Sequence, residues 1–133
     1  MKRLNLFLLV AMLLVTVVMP AGAAPRDPFP GVWTATDLDG SHMRMQISAI
    51  GAGYSFSYYD DATGECDDLP AFASGTGTLQ ADGSLSGILT GQCDPSTAGT
   101  WGPHPNVLIY SHGKLINPMW PGVPDVIWLR HPR

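Results

Sequence analysis

Apolar and polar residues alternate from His42 to Ile50. Met43, Met45, Ile47 and Ala49 fall on one face, and His42, Arg44, Gln46 and Ser48 on the other. A period of two is that of a strand with one buried side. A second run, Tyr54–Tyr59, places Tyr54, Phe56 and Tyr58 on one face, and Gly51-Ala52-Gly53 separates it from the first. Upstream, Gly31–Thr36 is a candidate strand joined to His42 through the turn-forming Asp37-Leu38-Asp39-Gly40-Ser41. Together the three predict a meander of hairpins.

Beyond a polar stretch from Asp60 to Ala71, the pattern predicts a hairpin of Phe72–Leu79 and Leu85–Cys93 around Ala81-Asp82-Gly83. Both arms carry alternate glycines, Gly75 and Gly77 on one, Gly87 and Gly91 on the other. Glycine inside a strand marks tight curvature or close backbone approach, which suits a small barrel better than a flat sandwich. A loop from Asp94 to Pro105 leads to a strand at Asn106–Ser111, and His112-Gly113 can turn it into Lys114–Asn117. A Pro-rich crossing, Pro118–Pro124, precedes a last strand at Asp125–Arg130. The count is eight if Lys114–Asn117 is a strand and seven if it is not. Eight closes an up-and-down barrel whose first and last strands run antiparallel. The predicted fold is therefore all-β: a small antiparallel meander of 7–8 strands, forming a closed or partly closed barrel.

The N-terminus breaks this pattern. Lys2 and Arg3 precede a 13-residue apolar run, Leu6–Val18, followed by Pro20 and the small-residue site Ala21-Gly22-Ala23. That is the layout of a cleavable secretory signal, and the run falls short of the roughly 20 residues a spanning helix needs. The expected organisation is a signal peptide over residues 1–23, a Pro-rich arm over 24–30, and one domain over 31–133. The expected location is secreted or periplasmic, with no membrane attachment after cleavage.

Cleavage changes the composition. The remaining 110 residues hold five Lys and Arg against eleven Asp and Glu, so a net charge of −4 becomes −6. Nucleic-acid binding is excluded, because phosphate contacts need clustered Lys and Arg. Fourteen Gly and eleven Pro in those residues rule out a helical bundle. Leu, Ile, Val and Phe number only 21 there, a thin supply for a core. The two cysteines, Cys66 and Cys93, are an even number in an oxidising compartment and are expected to pair. Their bridge would close a 28-residue loop. The chain-entropy model values that at about 3.5 kcal/mol.

Gly31-Val32-Trp33 opens the first strand and Arg130 stands on the last, in Ile127-Trp128-Leu129-Arg130. This resembles the G-x-W opening of lipocalin-like (calycin) barrels, including the small secreted bacterial inhibitors of metalloproteases. The resemblance implies that Trp33 closes one end of the barrel and that Arg130 packs over its ring as a cation–π partner. For the inhibitors it implies an N-terminal segment that enters the protease cleft. Gly31, Trp33 and Arg130 are thus the expected structural residues. The departures are a short chain and a different cysteine placement.

Candidate chemistry is sparse. No G-x-S-x-G elbow occurs, and His42, His104, His112 and His131 form no spacing that demands a catalytic set. Neither cysteine has a second Cys or a His at zinc-ligand spacing. Asp60, Asp61, Glu65, Asp67 and Asp68 put five carboxylates within nine residues. Such a run suits either calcium or a solvated acidic loop. The acids fall mostly in turns, which disfavours a glycosidase pair on facing strands. The aromatics remain. Trp101 and Trp120 lie in Gly/Pro-rich segments, and Tyr54 and Tyr58 face a barrel interior. These four are the candidate ligand-binding residues, at one loop-lined end.

The expected function is a secreted non-enzymatic β-barrel, a monomer, that binds a small ligand or an extracellular protein. No catalytic residue, resident metal or cofactor is assigned. The alternative is an inhibitor of an extracellular protease acting through Pro25–Pro30, and an enzyme of unknown type ranks below both.

Overall fold

The computed structural model describes residues 26–132. The expected signal segment and the first residues of the arm lie outside that range. Eight antiparallel strands close a barrel in simple sequential order: β1 (Gly31–Thr36), β2 (His42–Ile50), β3 (Gly53–Thr63), β4 (Leu69–Leu79), β5 (Leu85–Cys93), β6 (Thr100–Ser111), β7 (Lys114–Asn117) and β8 (Val126–Arg130). Lys114–Asn117 is a strand, pairing with both β6 and β8, so the count is eight. β1 and β8 complete the ring antiparallel, with Trp33 opposite Arg130 and Thr34 opposite Leu129.

The period-two reading holds along β2 as far as Ile47, with Met43, Met45 and Ile47 buried and His42, Arg44 and Gln46 exposed, and lapses at the strand's end, where Ala49 is exposed rather than buried. The same inward parity puts Trp33, Leu85, Leu108 and Leu115 in the interior. A core with few aliphatics is completed by aromatic rings, chiefly Trp33, Phe56 and Trp128.

Three strands run further than alternation alone predicted, and β4 is one, starting at Leu69 rather than Phe72. β3 continues through Asp60 into the acidic stretch as far as Thr63. β6 begins at Thr100, inside the segment expected to be a loop, so Trp101 is a strand residue. Pro103 and Pro105 are tolerated there because β7 pairs only from Ile109 onward. The β5 side carries a register shift between Leu89 and Gly91. A proline without its N–H sits on such a one-sided stretch at little cost.

The alternate glycines of β4 and β5 are sites of close approach. A Cβ on Gly77 or Gly87 would fall 2.8 or 2.6 Å from a ring carbon of Phe56, and one on Gly91 only 1.9 Å from Cε2 of Trp101. Two rings thus lie flat against a wall that has no side chains beneath them.

Cys66 and Cys93 form a disulfide with Cα atoms 5.6 Å apart, tying a 3-10 turn at Gly64–Cys66 to the end of β5. Both cysteines are buried with Ala71, and Trp101 packs against them.

Asp27–Pro30 is folded onto the barrel. Phe29 is 2% exposed and belongs to the main core. Its carbonyl accepts the Trp33 indole N–H at 2.9 Å, and the carbonyls of Pro28 and Pro30 accept from the Arg130 guanidinium. Asp27 accepts from the Tyr54 hydroxyl at 2.8 Å. These four residues form a plug rather than a projecting arm.

Candidate functional site

The structure divides the four candidate ligand-binding residues. Tyr54 lies at the plugged end, where its ring meets Phe29 at 5.9 Å and its hydroxyl is taken by Asp27. Trp120 stands in the crossing between β7 and β8 and is 69% exposed. Tyr58 and Trp101 do come together: their rings meet edge to face, 6.5 Å between centroids. They sit toward the opposite end of the barrel from the plug.

Tyr58 is the middle of a ladder of rings. On the inner side it meets Trp128 at 6.0 Å, and on the outer side Trp101, which in turn lies 5.5 Å from the His104 ring. His104 Nε2 pairs with Glu65 at 2.9 Å on the surface. The ladder therefore runs from the core to solvent. Trp128 is buried, Trp101 half-buried and His104 exposed.

Beside this ladder the interior turns polar. Asp60 is 2% exposed; it accepts the Tyr58 hydroxyl at 3.0 Å and the Ala62 N–H at 3.3 Å. Burial raises its carboxyl above the usual aspartate range. Burial likewise holds the Tyr58 phenol far above its usual range, and the Asp60 charge adds to that. On β6, Asn106 is buried with its Oδ1 accepting from Asn117 Nδ2 at 3.3 Å, while Asn117 also donates to the Val107 carbonyl at 2.7 Å.

Four buried polar side-chain groups among the described residues have no hydrogen-bond partner: Ser41 Oγ, Nδ2 of Asn106 and the indole N–H groups of Trp101 and Trp128. A buried donor without a partner carries a desolvation cost of about 1–3 kcal/mol. Such groups in native interiors are met by strain, by ordered water or by a bound ligand.

Trp128 and Asn106 were not singled out from the sequence, and Asp60 only as a member of the acidic run, although each had a signal as an inward-facing residue. Asp60 extends the alternation Tyr54, Phe56, Tyr58 by one step. Asn106 shares the inward parity of Leu108, so it is a polar residue on an apolar face. Trp128 shares the parity of Val126 and Arg130.

The acidic run does not converge. Asp60 is buried, Asp61 accepts the His42 N–H at 2.7 Å, Glu65 pairs with His104, and Asp67 and Asp68 are exposed in left-handed backbone. No group of three or more His, Cys, Asp or Glu side chains is placed to hold a metal ion among the described residues. No helix among them is long and apolar enough to cross a membrane.

No protein-family model, curated protein or solved structure matches this chain.

Proposed function

We propose that this protein is a secreted, non-enzymatic β-barrel that binds a small ligand in the half of the barrel bounded by Tyr58, Trp101 and Trp128. The observation that carries this reading is the pair of unaccepted indole N–H groups of Trp101 and Trp128 within an aromatic ladder that reaches solvent. Aromatic walls with a few convergent polar groups are the usual make-up of a ligand site. The disulfide and the N-terminal apolar run support export. The guanidinium of Arg130 over Trp33 supports kinship with lipocalin-like barrels. Protease inhibition by a protruding arm has less support, because Asp27–Pro30 is engaged by the barrel.

Native mass spectrometry of the protein from its natural secreted fraction tests the reading. The expected result is a bound small molecule that is lost on denaturation and whose occupancy falls in Trp101→Ala. A stoichiometric protease partner, with the barrel itself empty, would favour the inhibitor reading instead.

A further inference from the structure

Residues from both ends of the described range meet at the plugged end of the barrel, away from the aromatic ladder. We propose that the groove they form there is a second binding site, for a small organic oxyanion with an apolar body.

Barrel closure assembles the groove. Antiparallel pairing sets Trp33 opposite Arg130, and the His131 N–H donates to the Val32 carbonyl at 2.9 Å, so β8 runs out beside the start of β1. The plug folds over the same corner and carries Arg26 to it. The result is an open groove of about 770 Å³ lined by Arg26, Asp27, Tyr110, Arg130 and His131, with proline rings between them. Ligand pockets usually hold roughly 300–1,000 Å³, so a small molecule fits here.

The sign of the ligand's charge follows from the walls. The described residues carry eleven Asp and Glu but only four Lys and Arg, and two of those four, Arg26 and Arg130, line this one groove. Neither lies within ion-pair distance of a carboxylate among the described residues. Asp27, the acid in the groove, has both oxygens taken within the plug. Its Oδ1 accepts the Phe29 N–H at 3.1 Å, and its Oδ2 the Tyr54 hydroxyl at 2.8 Å.

Arg130 is also presented rigidly. Its guanidinium lies over the Trp33 ring and spends two of its five N–H donors on the carbonyls of Pro28 and Pro30. The remaining donors have no acceptor among the described residues. A planar fork held in one place suits the paired oxygens of a carboxylate or phosphate. Arg26 and the His131 ring add donors beside it.

The apolar body follows from the rest of the lining. Tyr110 is 41% exposed, and its ring is backed edge to face by the buried Phe29 at 6.5 Å. With Pro28, Pro30 and Pro132 it makes an apolar wall beside the cations. A bare inorganic ion would leave that wall in water, whereas a ring-bearing acid covers it. A neutral ring would cover the wall and leave both guanidinium groups without a countercharge. A cation would meet like charge.

Five probes separate these cases: benzoate, phenyl phosphate, acetate, benzyl alcohol and benzylammonium. Each is titrated into the whole protein while tyrosine, histidine and tryptophan side-chain resonances are followed by NMR. Benzoate and phenyl phosphate are expected to bind and to shift the Tyr110 and His131 signals. Acetate should bind about tenfold more weakly for want of a ring, and the neutral and cationic probes weaker still. Arg26→Gln alters an exposed residue outside the Arg130 clamp. It should weaken benzoate about fivefold, the upper end for a solvent-exposed ion pair. His131→Gln, a second variant that leaves the clamp alone, should act in the same direction. Benzyl alcohol binding as tightly as benzoate would overturn the proposal. So would benzoate shifting Tyr58 and Trp128 in place of Tyr110 and His131, or binding that both variants leave unchanged. Failure of both ring-bearing anions to bind would end it outright.

Discussion

Arg130 lies over Trp33, its Cζ 4.2 Å from the ring centroid, and the two residues face each other directly across the β1–β8 seam. The same guanidinium donates to the carbonyls of Pro28 and Pro30, and the Trp33 indole donates to that of Phe29. One pair of side chains thus closes the ring of strands and holds the plug in its end. Gly31 makes this possible: a Cβ there would fall within 2.3 Å of Arg130 Nη1, at a φ of +149° that side chains disfavour.

Arg130→Lys should therefore cost more than its surface position suggests. Lysine keeps the charge over the ring but loses the fork that reaches two carbonyls. A loss of about 1–2 kcal/mol is expected from the two hydrogen bonds, read by urea denaturation. Earlier proteolysis at Arg26 should accompany it, because the plug loses its clamp.

Phe29→Ala tests whether the plug is part of the fold. The ring is buried against Tyr54 and Tyr110 in the main core. Removing it should destabilise by about 3–5 kcal/mol, the range for a buried Phe truncated to Ala. A change below 0.5 kcal/mol, the usual bound for surface sites, would show that residues 26–30 are an independent arm after all.

Much of the barrel was legible because strand alternation is a local signal. Met43, Met45 and Ile47 declare their face without reference to anything distant, and the turns at Gly40, Gly83 and Gly113 fall where backbone with positive φ is required. Closure was also legible, since Trp33 and Arg130 sit on the strands that must meet. The site was less so. Trp101 reads as a loop residue because Gly99 precedes it and Gly102, Pro103 and Pro105 follow it, and only the one-sided pairing of β6 shows that a strand can hold those prolines. Grouping Tyr54 with Tyr58 was a failure of distance. They share a strand face, but one meets the plug and the other the aromatic ladder, and parity carries no information about height in the barrel.

Gly91→Ala should expel Trp101. The new methyl would coincide with the indole, whereas the backbone of Gly91 is regular strand and accepts alanine without strain. The expected outcome is a folded barrel with red-shifted tryptophan emission and faster quenching by acrylamide. Unchanged emission would mean that the ring does not rest on Gly91.

Reduction of Cys66–Cys93 should lower stability by about 3.5 kcal/mol on the loop-entropy model. For a domain of this size each kcal/mol corresponds to roughly 4–8 °C, so the thermal midpoint should fall by roughly 14–28 °C. Differential scanning calorimetry with and without reductant measures it. A drop of only a few degrees would show that Ala71 and Trp101 hold that corner without the bridge.

Asp60→Asn should stabilise the barrel at neutral pH and do nothing in acid. Burial raises the Asp60 carboxyl above its unfolded value, so the folded state holds the proton more tightly. Between the two pKa values the native state binds more protons than the unfolded one, and stability therefore falls as pH rises through the folded pKa. The penalty is absent below the ordinary aspartate range and complete above the raised pKa. Asparagine keeps an oxygen for the Ala62 N–H but carries no charge, so it escapes the penalty. Thermal midpoints of the two proteins should coincide near pH 3 and separate in favour of the variant as pH rises toward 7. Asp39 and Asp82 change in the opposite sense, because hydrogen bonds from Ser41 and Ser84 lower their pKa values. Both proteins share that background, and the difference between them isolates Asp60. A variant less stable than the parent at pH 7 would mean that the buried carboxylate is held by its hydrogen bonds more strongly than burial opposes it.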